Sequence, residues 1–411
     1  MGFIDQLWQW ILEKSISSLV VVPALGSIAW FCFIYLVRVS LRAWRFIRSR
    51  RRALQAVARD MREHGACEGK GVWLTTPIEP PPHYWRGVTS SKVLAIANLK
   101  GGVGKTTLTA NIGAYLAKDW QKNVLLIDLD FQGSLSSMAF PGKDWLPAEY
   151  QSSLATRLIS GDITSGDLSH FAEEVHLNIE GDRGSGRLQV ITAYYDLAQA
   201  DNRIMVEWLL EQLSRTPRDL RTALVDLLTA KLLRTPDVRY TLAEVLHSNA
   251  VQKAFDLVII DCPPRLTTSK IQALCASSHL LIPTIFDRTS AEAVVSLCEQ
   301  VETLRDANIC PNLEYIGVVG TMWRPNRVAQ NEAVRLVRDA LSAGLTGILP
   351  EKTFVPHSAA LVNDAAEGIA YIAMPQKQDR SQIRSAIAEL AEYVAGQMGI
   401  SQPAHFLQAA E

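Results

Sequence analysis

The feature that most constrains this chain is Lys100-Gly101-Gly102-Val103-Gly104-Lys105-Thr106-Thr107. It follows an apolar run, VLAIANL (93–99), and opens a helix-compatible stretch, TTLTANIGAYLAKDW. Glycines at 101, 102 and 104 let the backbone curl so that consecutive N–H groups converge on one anion. The helix that follows adds the partial positive charge of its N-terminus at the same point. Strand, glycine turn and helix in this order are the context that a phosphate-binding loop requires. In such a loop Lys105 reaches the β- and γ-phosphates, and Thr106 offers its hydroxyl to Mg²⁺. The strict pattern G-x-x-x-x-G-K-[ST] asks for glycine at position 99, which is Leu99 here, and position 100 is a second lysine.

A chance Gly-Lys-Thr turn is argued against by two acidic elements further along the chain. Asp128-Leu129-Asp130 ends NVLLIDLD (123–130), and Asp261 ends the apolar part of FDLVIIDCP (255–263). A carboxylate at the carboxyl end of a buried strand, beside a phosphate loop, can hold Mg²⁺ or its water shell. The expected metal set is Thr106, Asp128 and Asp261, the aspartates directly or through water. Without the loop, either strand-end aspartate would read as a turn former or a helix cap. Further runs, LQVITA (188–193), HLLIPTI (279–285), EYIGVVGTM (314–322) and, as an additional strand candidate, KTFVP (352–356), alternate with helical stretches. That alternation predicts an α/β fold, a mostly parallel doubly wound sheet flanked by helices.

KGGVGKTT, DLDFQGSLS and FDLVIIDCPP, in that order, resemble the ParA/MinD family of deviant Walker A ATPases, within the SIMIBI class of P-loop NTPases. The similarity runs from about Ser91 to about Val394 and takes in IGVVGTM and FVPHSAALVNDAAEGIA. The resemblance implies ATP and Mg²⁺ as cofactors and nucleotide contacts from Lys100 through Thr107. Lys100 matches the lysine that crosses a dimer interface to the partner's nucleotide. Lys105 and Thr106 match the phosphate lysine and the Mg²⁺ ligand. Asp130 matches the switch carboxylate that positions the attacking water, with Asp128 two residues before it. Asp261 matches the second acidic element, acting through Mg²⁺-bound water. The catalytic set is then Lys100, Lys105 and Asp130, in a homodimer held together by ATP and opened by hydrolysis. The interval from Asp130 to Asp261 is longer than usual for the family, with extra helices expected near 215–245.

The first sixty residues differ from the rest. They carry a net charge of +6 inside a chain of net charge −1, which leaves −7 for the remainder and argues against a globally basic nucleic-acid binder. Ser15 to Val37 is 23 residues without a charge. A helix of that length rises about 34 Å, enough to cross a hydrocarbon layer of about 30 Å. Trp8, Trp10, Trp30, Tyr35 and Trp44 flank it like interfacial aromatics. Seven arginines follow within 38–52, which keeps that side in the cytoplasm. A signal peptide would carry its charge before the apolar run and a cleavage site after it. The expected organisation is a tail, a transmembrane helix (about 15–37) and a basic juxtamembrane segment over 1–52, then a stalk over 53–90. The ATPase domain follows over 91–400 with a helical insertion near 200–250, and a tail over 401–411. The expected location is the inner (cytoplasmic) membrane, single-pass, with the ATPase domain in the cytoplasm.

The six cysteines form no C-x-x-C, and the eight histidines show no H-x-x-x-H spacing, so neither set suggests a metal site. SQIRSAIAELAEYVAGQMGI reads as an ordinary packed helix, not a reversible membrane-binding tail. The leading function is a membrane-anchored switch ATPase that positions, partitions or recruits a partner, with an unidentified protein activator or cargo. One alternative is a bacterial-type protein-tyrosine kinase, weakened by the lack of tyrosine after Tyr393. The other is a DNA-binding plasmid or chromosome partition ATPase, which would use Arg324, Arg327, Arg335 and Arg338. Glu332 and Asp339 lie on the same stretch, and DNA is the less favoured partner.

Overall fold

The computed structural model describes mainly residues 92–143, 152–164, 168–177, 186–214, 237–324, 328–341, 346–359, 367–373 and 381–402. Before residue 92 it describes the helical stretch 29–42 and scattered positions, among them Trp73 and Leu74. The strands are β1 (Lys92–Ile96), β2 (Val124–Asp128), β3 (Glu173–Glu174), β4 (Leu188–Ile191), β5 (Leu257–Asp261), β6 (His279–Thr284) and β7 (Glu314–Gly320). They form one sheet in the order β3-β4-β2-β5-β1-β6-β7. Every pairing is parallel except that of β3 with β4. The helices used below are α1 (Lys105–Lys118), α2 (Ser134–Ala139), α3 (Leu154–Ser160), α4 (Asp196–Ser214), α5 (Thr241–Leu246) and α6 (Asn249–Ala254). They continue with α7 (Thr268–Ala276), α8 (Arg288–Asp306), α9 (Val328–Leu341) and α10 (Ser381–Gln397).

The expected α/β class and mostly parallel sheet are borne out. β2 and β5 are buried at every position because both faces carry helices, which is why their sequences are unbroken apolar runs. Register fixes the site. Ile96 pairs with Asp261, and Asp128 pairs with Asp261, so the loops that leave β1, β2 and β5 emerge side by side. The chain passes from β1 to β2 on one side of β1 and returns through β6 and β7 on the other. β1 therefore sits at the topological switch point, where open α/β sheets bind ligands. α1 lies close on the sheet at Gly113, where a Cβ would come within 2.6 Å of Leu126 Cδ2.

Four differences from the sequence reading have physical reasons. Glu173–Glu174 is a two-residue antiparallel edge with no apolar run to announce it. KTFVP does not enter the sheet. Glu351–Thr353 is a 3₁₀ turn in which the Thr353 hydroxyl donates to the Pro350 carbonyl at 2.7 Å, and an isolated bridge joins Trp323 to Pro356. The helical insertion expected near 200–250 packs inward where it is described, with Trp208, Tyr240, Leu242 and Leu246 buried. Trp73, within the expected stalk, is also fully buried. The extra helices expected near 215–245 fall partly on 215–236, outside the described residues.

α10 is the packed helix expected. It buries Ile383, Ile387, Leu390 and Val394, and Tyr115 of α1 donates its hydroxyl to Glu392 Oε1 at 2.5 Å. Of the expected membrane span, about 15–37, residues 15–26 and 28 lie outside the described residues. Among the described residues, no helix is long and apolar enough to cross a membrane.

Candidate nucleotide-binding site

The phosphate loop is built from glycine geometry. Gly102 and Gly104 have φ of 70° and 85°, and Gly104 is the left-handed residue immediately before α1. A side chain at Gly104 would be strained by that φ, and its Cβ would lie 3.3 Å from Thr321 Cγ2. Thr321 holds the loop from β7, its hydroxyl within 2.9 Å of the Val103 carbonyl and 3.1 Å of the Thr284 carbonyl. Asn98 braces the other end. Its Oδ1 accepts from the Lys100 N–H at 2.9 Å, and its Nδ2 donates to the Pro283 carbonyl at 2.7 Å. Lys105 is buried and folds back over the loop, with Nζ donating to the Lys100 carbonyl at 3.1 Å.

The acidic elements meet beneath the loop. The Thr106 hydroxyl donates to Asp261 Oδ2 at 2.7 Å, while Asp261 Oδ1 is buried with no hydrogen-bond partner. Burial pushes the Asp261 carboxyl well above the usual carboxylate range, and the neighbouring Asp128 adds to this against the Thr106 hydrogen bond and Lys105. Asp128 is raised to about 6, again by burial first, despite hydrogen bonds from Ser136 and Asp130. Asp261, with its orphaned oxygen, and the Thr106 hydroxyl form a pair of hard oxygen donors, with the Asp128 carboxyl beside them. That set suits a divalent cation such as Mg²⁺.

Asp128 is spent on the local turn. Oδ2 accepts from the Ser136 N–H at 2.9 Å and the Ser136 hydroxyl at 2.8 Å, and Oδ1 accepts from the Asp130 N–H at 3.1 Å. Asp130 itself sits half-exposed at the tip, where its Oδ1 accepts from the Gln132 N–H at 3.1 Å. Lys100 points away from Lys105. Its Nζ lies 3.1 Å from both Asp287 oxygens, 2.7 Å from Thr289 Oγ1 and 2.8 Å from Ser290 Oγ, at the start of α8 of the same chain. Burial alone would raise Asp287, but hydrogen bonds from the Ser290 N–H, Lys100, Thr289 and Ser290 Oγ hold it at about 2.

The structure thus brings Gly101–Thr107, Asp128, Asp130 and Asp261 to one place, and turns the Lys100 side chain aside. The sequence reading missed Asn98, Ser136, Asp287, Thr321 and Lys270. Only Asp287 carried a usable local signal, an Asp before Arg-Thr-Ser that caps α8 by accepting from Ser290 N–H. Cys262 is fully buried with its thiol pushed up to about 12, as fits an inert packing residue. Among the described residues no cluster of three or more His, Cys, Asp or Glu could hold a metal. α9 exposes Arg335 and Arg338 beside Glu332 and Asp339, a face of mixed sign.

The family model AAA_31, an AAA domain, matches residues 91–315. The chromosome partitioning protein ParA of Caulobacter vibrioides is 28% identical over 246 residues, which is 59% of this chain and 74% of that protein. The structure of apo McdA from Cyanothece overlays with a TM-score of 0.55 at 17% identity, covering 74% of this chain and 99% of that one. Cobyrinic acid a,c-diamide synthase from Mycobacterium smegmatis, with bound ATP analogue and magnesium, gives a TM-score of 0.51 at 23% identity, covering 76% and 98%. At those identities the two structures share the fold with this chain.

Proposed function

The chain belongs to the AAA_31 family of ParA/MinD-like P-loop ATPases, and on that premise we propose that it is a membrane-anchored, Mg²⁺-dependent ATP hydrolase whose ATP-bound homodimer is a switch for positioning or recruiting a partner. The observation that carries this reading is the pair Thr106–Asp261, hydrogen-bonded at 2.7 Å beneath the glycine loop with one Asp261 oxygen left over. Thr106 and Asp261 would hold Mg²⁺. When bound there, the ion supplies charge neutralisation on the terminal phosphates. We assign Asp128 to the turn that presents Asp130, because its hydrogen bonds go there. Lys105 and the loop N–H groups bind the phosphates, and Asp130 orients the water. Transfer to water needs positioning and charge compensation more than covalent help.

The membrane reading is supported by the helix over 29–42. Trp30, Phe31, Phe33, Tyr35 and Leu36 are all exposed on it, Phe31 by 72%, and arginines follow. Single-pass insertion in the inner membrane, with the ATPase body in the cytoplasm, would cover those rings. The partition function named for the Caulobacter relative supports the positioning role.

The test is phosphate release by the full chain in detergent, with Mg²⁺ varied, beside Lys105→Ala. Turnover that needs both Mg²⁺ and Lys105 is expected, and equal rates from the two proteins would remove the ATPase reading. For the anchor, the chain should float with phospholipid vesicles and resist alkaline extraction. Release into the alkaline supernatant would remove it.

A further inference from the structure

Trp73 precedes β1 by a stretch of chain expected to be a stalk, yet it is fully buried in the ATPase body. Its ring stacks on Trp208 with centroids 6.1 Å apart. Its carbonyl accepts from Arg239 Nη1 at 2.8 Å. Arg239 is itself buried, its guanidinium forked onto Asp237 and lying 5.1 Å from the Trp208 ring. This is a built seat, not a passing contact, since a buried guanidinium is retained only where carboxylate, carbonyl and ring partners satisfy it. Trp73, well ahead of β1 in the chain, is therefore fastened to the catalytic body.

Beside that seat runs a groove of about 140 Å³ lined by Trp73, Leu74, Leu266, Gln300, Leu304 and their neighbours. Two complementary polar atoms lining it have no partner: the donor Trp73 Nε1 and the acceptor Gln300 Oε1, both buried. A buried donor and a buried acceptor left open in one groove each carry the full cost of desolvation, which pairing would remove. The two walls lead to the nucleotide site by separate routes. Leu266 lies in the loop that leaves β5 after Asp261. Gln300 is on α8, whose first turn and cap hold Lys100 through Asp287, Thr289 and Ser290.

We propose that Trp73 and Gln300 are the two halves of a strap that closes when nucleotide engages the phosphate loop. Closure moves α8 and the loop after Asp261 toward Trp73, the indole N–H donates to the Gln300 carbonyl oxygen, and Trp73 is gripped more tightly in the loaded state. The strap gives a membrane tether a way to report nucleotide state to the segment nearest the bilayer. It rests on the reading of the loop as an ATP site.

The experiment is hydrogen exchange of the full chain in detergent, with and without Mg²⁺ and a non-hydrolysable ATP analogue, following peptides over 70–76 and 297–304. Binding of a fluorescent ATP analogue is measured on the same samples. Nucleotide should slow exchange in both peptides by about tenfold. Trp73→Phe, which keeps the stacked ring but removes the N–H, and Gln300→Leu should each abolish the slowing in both peptides while leaving analogue binding in place. Bound analogue with unchanged exchange at 70–76 would overturn the strap, as would slowing that survives both substitutions. Failure to bind the analogue at all would instead remove the ATP reading.

Discussion

Lys100 Nζ sits 3.1 Å from each carboxylate oxygen of Asp287, in its own chain, with Thr289 and Ser290 completing the cage. A lysine that serves a partner's nucleotide must first leave these bonds. The pair is partly exposed, 33% for Lys100 and 44% for Asp287, so its strength is modest. Asp287→Asn keeps an acceptor for the Ser290 N–H, and with it the cap on α8, but removes the charge that retains Lys100. ATP-dependent dimerisation, read by sedimentation of the full chain in detergent, should strengthen about threefold. An unchanged dimer constant would mean the cage does not restrain Lys100.

Asp261 predicts a separation of stability from activity. It is buried beside Asp128, with one oxygen bonded to Thr106 and the other unpaired. Asp261→Asn removes a buried acid held far from its ordinary ionisation and retains an acceptor for Thr106. The nucleotide-free protein should gain about 1 kcal/mol, a rise of about 3 °C in thermal midpoint. Turnover should fall at least a hundredfold, because the carboxylate proposed to hold Mg²⁺ is lost. Circular dichroism melts and phosphate release measure the two effects. A lower midpoint with intact turnover would contradict both halves.

What the sequence disclosed was what is written locally. Glycine turns and unbroken apolar runs fixed the phosphate loop and six strands, because backbone freedom and two-sided burial act within a few residues. The supports of the site come from afar. Thr321 reaches Val103 across 218 positions, and Lys270 reaches the carbonyl of Asn98 across 172. Nothing in GVVGTM or TSKIQALCA marks those side chains, since their roles arise only when the sheet brings the strand ends together. Trp73 was hidden for a related reason. The stretch over 53–90 reads as a stalk from sequence alone, and only the distant Trp208 and Arg239 make Trp73 core.

Thr321 is the clearest of these hidden supports. Its hydroxyl faces two carbonyls, Val103 at 2.9 Å and Thr284 at 3.1 Å, and ties the loop to β6 and β7. Thr321→Val preserves the shape beside Gly104 but leaves the Val103 carbonyl without this donor. Stability should fall by about 1–2 kcal/mol, and ATP affinity about tenfold as the loop N–H groups lose alignment. Thr321→Ser, which keeps the hydroxyl, should recover most of the affinity. Calorimetric titration of all three proteins decides it, and equal loss in the serine variant would point to packing rather than the hydrogen bond.

Lys270 gives a pH dependence whose sign follows from burial. Its Nζ is fully buried behind the loop and donates to the Asn98 carbonyl at 3.3 Å. Desolvation lowers it from 10.5 to about 7, with Cys262 opposing and Lys105 assisting. Between those two values the unfolded chain binds a proton that the folded chain lacks. Stability therefore rises with pH through that window, and the full penalty is present below about 7. From pH 7 to pH 9 the contribution of this one group should amount to about 2 kcal/mol. Lys270→Met removes the titrating group, and its lost hydrogen bond costs the same at every pH. Urea unfolding across that range should therefore show a shallower slope for the variant than for the parent. Parallel slopes would mean that Lys270 stays charged inside the folded protein, with a buried partner other than Asn98 holding its proton.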